Sequence, residues 1–424
     1  MKHFREALVA VAGTSLLLVA ATLPVTTAQA KTPPSARSVT DWSSIALRTV
    51  YGQARLPVPV GSLYLGFTSL AVYDAVLDAS KANPRHGRAS APAAAAVAAH
   101  DVLAQYVPAY IADLDADLAA DLAAIPASPA KSRGIALGSA AADDLIASRV
   151  GDGRGAAITY AKPPSIGIWR PTPPANAPMA LPWLGFVKPL LLDSPTQIHV
   201  DGPDALGSAS YATDFEEVRA KGALTGSTRT PAETVTARFY NYNAVLQLEN
   251  ALIGFSTTHP DDIVTTARTF ALTNASIADA LITTWRLKYD VGYWRPVTAI
   301  RQADLDGNPG TTPDPDWVPF ADSPLANPPG APVGTPNYPE YPSGHASITN
   351  AFTESLALSF GTRTTDLALF SGVTGTTRGY TDLDSLSTDA FNARIWLGIH
   401  FRDAMEDAVY IGAESARLAD QRLP

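Results

Sequence analysis

The stretch that most restricts the fold runs from Pro260 to Trp285. Asp261 and Asp262 follow Pro260, the composition of a helix start, and Ile263, Ala267, Phe270, Ala271, Ala278, Ile282 and Trp285 then recur along one stripe of helical period. Such a face has to be buried, so the stripe predicts a core helix with partners. Three- and four-residue spacings also run from Asp41 to Ser80, where Pro57 and Pro59 join two helices, and continue through Ala91 to Ala124, Pro129 to Arg149 and onward from Thr230. With 46% hydrophobic and only 17% charged residues over 424 positions, the chain can bury a large core, and the expected fold class is all-α.

Residues 1–30 read as a secretory signal peptide. Lys2 and Arg5 precede an apolar run from Ala7 to Leu23, and Ala28-Gln29-Ala30 supplies small residues at the cleavage spacing, with no twin-arginine pair. The alternative, an N-terminal membrane anchor, is weakened by Gly13, Thr14 and Ser15 inside a short run. The expected location is therefore secreted and extracellular, and no later apolar run is long enough to suggest a membrane span. Cleavage leaves 29 basic and 39 acidic residues, a formal charge of −10. An acidic chain disfavours nucleic acid and anionic lipid as partners, so cations that bind an anionic ligand must be gathered in a pocket. Cysteine is absent, which excludes disulfides, thiol chemistry and thiolate metal ligands.

Two proline-rich stretches interrupt the helical pattern. The first, Ala161 to Pro203, mixes ten prolines with Trp169, Trp183 and Phe186 and predicts an ordered wrap, since large aromatics give a loop something to bury. The second, Asp304 to Pro342, begins with Asp304-Leu305-Asp306-Gly307-Asn308, a turn that lacks the acids needed for a calcium loop. Neither has the composition of a flexible linker. The expected organisation is one large domain over residues 31–424.

Three short motifs carry chemistry. "KYDVGYWRP" places Lys288 seven residues before Arg295, which on a continuous helix returns to nearly the same face; alone, it is as well read as a solvated pair. "NYPEYPSGHAS" ends a loop at Pro342, offers Ser343 as a helix cap, and begins a helix from His345 to Phe360. Free backbone N–H groups and the positive helix end there favour an anion, and Gly344 lets it come close. "ARIWLGIHFRDAMED" supplies Arg394 and His400, which six residues apart diverge on an unbroken helix, so a break near Gly398 is expected.

Taken together and in this order, Lys-x6-Arg-Pro, Pro-Ser-Gly-His and Arg-x5-His resemble the shared signature of the type 2 phosphatidic acid phosphatase (PAP2) and vanadium haloperoxidase superfamily, most strongly from about residue 230 to the C-terminus. The resemblance implies a helical bundle of that type in which Lys288, Arg295 and Arg394 neutralise a tetrahedral oxyanion and Ser343 and the Gly344 amide donate hydrogen bonds to it. It implies His345 as general acid and base, and His400 as the vanadium ligand or, in a phosphatase, the nucleophile. The long loop between the first two motifs is similar to the haloperoxidase branch. Trp285 and Tyr338 fall where chloroperoxidase-like members carry aromatic residues beside the halide, although Tyr338 replaces their usual Phe or His.

On that reading vanadate is the cofactor, hydrogen peroxide and a halide or small organic acceptor are the substrates, and Lys288 polarises the bound peroxide. The alternative is a secreted PAP2-type acid phosphatase that hydrolyses phosphomonoesters through a phosphohistidine, without vanadate. One departure stands out: the family's usual carboxylate four residues after the last histidine is here Ala404, leaving Asp403, Glu406 and Asp407 as candidates to orient His400.

Overall fold

Helix starts in this chain are set by prolines and by short polar caps. The computed structural model describes residues 34–82, 88–173, 175–327 and 334–424; residues 1–30, read above as a signal peptide, lie outside them. α1 (Pro34–Leu47) passes through a π-helical turn to Pro57, which opens α2 (Val58–Lys81). Ser90 caps α3 (Ala91–Tyr106), and Pro108 then stops the helix that the spacing extends to Ala124, so that α4 (Ile111–Ala124) is a separate element. Ser128 caps α5 (Pro129–Ser148) and Ser208 caps α6 (Ala209–Lys221). α7 (Pro231–Phe239) begins with a capping box between Thr230 and Glu233, and α8 (Ala244–Thr258) is capped by Asn243.

Asp262 accepts the amides of Val264 and Thr265 to start α9 (Ile263–Val291), and left-handed Gly292 ends it. α10 (Pro296–Arg301), α11 (Gly344–Phe360), α12 (Leu383–Trp396) and α13 (Arg402–Asp420) complete the helices. An antiparallel hairpin of β1 (Thr364–Ser371) and β2 (Thr376–Asp382) interrupts the all-α pattern between α11 and α12. Its alternating burial, with Leu367, Leu369 and Ser371 inward, is the period of two that a half-covered strand requires.

α9 is the central element. It packs against α2, which in turn packs on α3 and α5, and it also packs against α11 and α13. Nearly every residue from Ile263 to Trp285 is buried, so the stripe read from the sequence is the seam of a helix enclosed all round. Among the described helices α2 is long and apolar enough to cross a membrane, contrary to the sequence expectation; 83% of that apolar window is buried, the packing of a core helix. Thr32–Pro424 forms one compact unit.

The first proline-rich stretch wraps the C-terminal end of α9. Asp279, fully buried on α9, accepts the amides of Leu190 (2.6 Å), Leu191 (2.8 Å) and Leu192 (2.9 Å). Gly185 lies so close to α9 that a Cβ there would be 2.5 Å from the Arg286 amide nitrogen. Trp285 donates its indole N–H to the Ala180 carbonyl at 3.2 Å, and the Ala180 amide donates to Asn337 O at 2.7 Å. The wrap is therefore bonded both to the core helix and to the loop leading into α11.

Candidate active site

Five helix ends converge beside this wrap: the C-terminus of α9, the N-termini of α10 and α11, the C-terminus of α12 and the N-terminus of α13. The helical spacing invoked for Lys288 and Arg295 does not apply, because α9 ends at Val291 and Arg295 is the N-cap of α10. The turn through Gly292, at φ +67°, sends the chain back so that both cations meet all the same. Lys288, Arg295 and Ser343 are fully buried, and Arg394 and His400 are each 3% exposed. Gly344 and His345 are only partly covered.

Lys288 donates to the carbonyls of Pro339 (2.8 Å), Glu340 (2.8 Å) and Pro342 (2.5 Å). An ammonium has three N–H groups, so all three are taken by the loop before Ser343. In this arrangement Lys288 contributes charge and fixes that loop; a hydrogen bond from it to a ligand requires one of these carbonyls to be released. Burial, with Arg295 nearby, pulls its pKa well below the ordinary lysine value. Arg295 donates from Nε to Tyr338 O (3.0 Å) and from Nη1 to Ile399 O (2.8 Å) and to His400 Nε2 (3.4 Å). Arg394 donates from Nη1 to Tyr240 O (3.3 Å) and Asn241 Oδ1 (3.4 Å). Burial brings its pKa down to about 10.

At this site two buried donors, Arg295 Nη2 and Arg394 Nε, have no partner among the described residues. An unsatisfied buried guanidinium N–H is costly, and an oxyanion between the two arginines would satisfy both. The start of α11 adds to this. Ser343 caps it, accepting the Ala346 amide at 3.5 Å, and Gly344 is its first residue. A Cβ at Gly344 would meet the Trp285 ring at an ordinary 3.4 Å, so packing does not demand glycine there. The residues present thus suit a tetrahedral oxyanion such as vanadate or phosphate.

The expected break falls at Gly398, whose φ is +78° between α12 and α13, and it turns His400 back toward Arg295. Burial, followed by the charges of Arg295, Lys288 and Arg394 and by His345, drives the His400 pKa well below the usual imidazole value. His345 is lowered for the same leading reason, with Arg394 as the nearby charge. Its Nε2 lies 3.3 Å from Tyr242 O; since a carbonyl can only accept, Nε2 carries the proton and Nδ1 is free to take one. Trp285 and Tyr338 form one wall, with ring centroids 5.0 Å apart, and the Lys288 ammonium and Arg295 guanidinium lie 5.1 and 5.0 Å from the Tyr338 ring centre.

The carboxylate beside His400 is neither Asp403, Glu406 nor Asp407. Asp403 accepts the Asp204 amide, Glu406 is exposed, and Asp407 accepts from the Tyr341 hydroxyl. Fully buried Glu340 takes the place: its Oε1 lies 2.8 Å from His400 Nδ1 and accepts the Phe401 amide at 3.0 Å. Burial pushes the Glu340 carboxyl up to about 8, opposed by Arg295 and Lys288. An acid enclosed by "PEYP" immediately before Pro-Ser-Gly-His was the available signal. Sequence reasoning also missed Tyr240-Asn241-Tyr242, the junction of α7 and α8, whose carbonyl and amide oxygens hold Arg394 and His345.

Residues 268–423 match the family model of the VCPO second helical-bundle domain. The chain is 38% identical over 85 residues to the vanadium chloroperoxidase of Curvularia inaequalis, a match that spans 20% of this chain and only 13% of that protein. In solved structures the fold resembles a bacterial vanadium-dependent iodoperoxidase, with a TM-score of 0.73 and 21% identity over 93% of this chain and 97% of that one. It also resembles a bacterial vanadium-dependent chloroperoxidase in its holo form, with a TM-score of 0.66 and 15% identity over 87% of this chain and 92% of that one. The chain therefore has the vanadium haloperoxidase fold, and its C-terminal part is a helical bundle of the vanadium chloroperoxidase type.

Proposed function

We propose that this chain is a vanadate-dependent haloperoxidase that oxidises halide with hydrogen peroxide: H2O2 + X− + H+ gives HOX + H2O. The observation that carries the reading is the pair of unpartnered buried donors, Arg295 Nη2 and Arg394 Nε, in a cup where Arg295 also reaches His400 Nε2. Vanadate, when bound, would supply a Lewis-acidic centre at which peroxide is activated toward halide. Arg295 and Arg394 would hold its oxygens, with the Gly344 amide and Ser343 hydroxyl at the α11 N-terminus, and His400 Nε2 would bond its central atom.

The remaining residues prepare the reaction. His345, neutral through neutral pH, accepts a proton at Nδ1 and returns it, a relay that itself consumes none; the one proton taken up overall comes from solvent. Trp285 and Tyr338 present an aromatic wall suited to a weakly hydrated halide, and the proline-rich wrap bonded to Trp285 helps to exclude water. Lys288 keeps the Ser343 loop closed and adds positive charge.

The test is to load the metal-free protein with vanadate and assay bromination with bromide and peroxide, and separately to assay aryl phosphate hydrolysis without vanadate. Halogenation that depends on loading is the expected result. Hydrolysis alone, with no halogenation after loading, would replace this reading by that of a PAP2-type acid phosphatase acting on phosphomonoesters through His400.

A further inference from the structure

We propose that Glu340 is the positioning residue of His400, holding the imidazole as its Nδ1–H tautomer so that the Nε2 lone pair faces the cup. The role has moved from helix α13, where Ala404 and its neighbours cannot fill it, to the loop before Ser343. This inference rests on the reading of the cup as an oxyanion site.

Two independent contacts fix the tautomer. Arg295 Nη1 lies 3.4 Å from His400 Nε2, and a guanidinium can only donate, so Nε2 is the acceptor. Glu340 Oε1 lies 2.8 Å from Nδ1, which must then carry the hydrogen. The same oxygen accepts the Phe401 amide at 3.0 Å, so the carboxylate fixes the backbone on the C-terminal side of the histidine as well as its ring.

Glu340 is itself held at both ends of its peptide unit. Its amide donates to Tyr293 O at 2.9 Å, and its carbonyl accepts from Lys288 at 2.8 Å. It therefore joins three segments: the turn after α9, the loop before α11 and the approach to α13. Orientation of a metal-bonding histidine through its far nitrogen is a general way of raising its basicity and fixing its direction. Here the supporting acid also contacts the residue next in sequence, so rotation of the ring is opposed by main chain and side chain together.

A second property makes the role separable from simple charge. Glu340 adds a negative charge beside a cup built for anions where it is ionised and none where it is protonated, so on electrostatics alone its removal should leave the binding of any oxyanion unchanged or stronger. If it positions His400, removal should instead weaken vanadate, whose centre needs the Nε2 lone pair. Phosphate, held by charge and hydrogen bonds, should not weaken.

The experiment uses the full-length mature protein and its Glu340→Ala and Glu340→Gln variants. Histidine-selective 15N NMR of the metal-free protein reads the His400 tautomer, assigned with His400→Ala, and calorimetry reads the affinity for inorganic vanadate and inorganic phosphate. The wild type should show Nδ1 protonated and Nε2 bare. Glu340→Ala should lose that signature and lower vanadate affinity roughly tenfold to a hundredfold, with phosphate affinity unchanged or raised. Glu340→Gln, whose amide oxygen can still accept both hydrogen bonds, should keep the tautomer and most of the vanadate affinity.

A wild-type histidine protonated at Nε2, or Glu340→Ala in which vanadate and phosphate affinities rise together, would overturn the proposal. If Glu340→Ala does not fold, the wild-type spectrum and the Gln variant still decide it. A protein that binds neither oxyanion would defeat the reading of the cup, while the tautomer seen in the metal-free spectrum would judge Glu340 separately.

Discussion

At the scale of single residues, the site is a set of donors arranged ahead of their ligand. Arg394 shows this most clearly: its two hydrogen bonds to the α7–α8 junction are long, and its Nε has no partner among the described residues. A charge-assisted hydrogen bond contributes about 1.5–3 kcal/mol, so Arg394→Ala should weaken inorganic vanadate by about 10- to 100-fold in a calorimetric titration. An unchanged affinity would remove Arg394 from the cup. The cations and both histidines were legible in the sequence because they sit in short motifs of fixed order. Glu340 and Asn241 were not, because each acts through contacts more than fifty residues away, with His400 and Arg394 respectively, and has no helical spacing to announce it.

At the scale of elements, the breaks between helices matter as much as the helices. Gly398 lies between α12 and α13 at φ +78°, and a Cβ there would stand 2.6 Å from Gly222 O and 2.9 Å from the Trp317 ring. Gly398→Ala should cost about 2–4 kcal/mol, from left-handed backbone strain together with overpacking, measured by urea denaturation. It should also weaken vanadate binding, because this break sets where His400 points. An alanine variant of wild-type stability would show that the break does not depend on glycine. The break after Trp396 could be inferred from the sequence because Arg394 and His400 otherwise diverge. The end of α9 before Arg295 was not inferred, since Lys288 and Arg295 already agreed with an unbroken helix; Gly292 was the overlooked stop. The hairpin after α11 also went unread, because β2 is threonine-rich and buries only Tyr380, too sparse an apolar pattern to announce a partner for β1.

At the scale of the whole molecule, α9 joins helices that pack on α2 to those that build the cup. Its long apolar stripe made the helical class readable, and the lack of cysteine leaves packing, not disulfides, as the source of stability. One buried group sets a cost on that packing. Glu249 on α8 is 1% exposed, its Oε2 accepts from Asn274 Nδ2 at 3.2 Å, and Glu249 Oε1 and Asn274 Oδ1 lack partners among the described residues. Burial raises its carboxyl from 4.5 to about 8. The folded state therefore holds this proton more tightly than the unfolded state, and the contribution to stability is greatest below about pH 4.5 and declines until about pH 8. Glu249→Gln should flatten that decline and stabilise the protein at pH 8–9 relative to wild type, read from thermal midpoints across pH 5–9; a parallel pair of curves would contradict it.

The central claim is that Arg295, Arg394, the start of α11 and His400 close around one tetrahedral ion. The most direct measurement is a crystal structure of the protein soaked in orthovanadate. The account predicts vanadium bonded to His400 Nε2, with its oxygens taking up Arg295 Nη2 and Arg394 Nε. Vanadate bound elsewhere, or a cup left empty at saturating concentration, would contradict it.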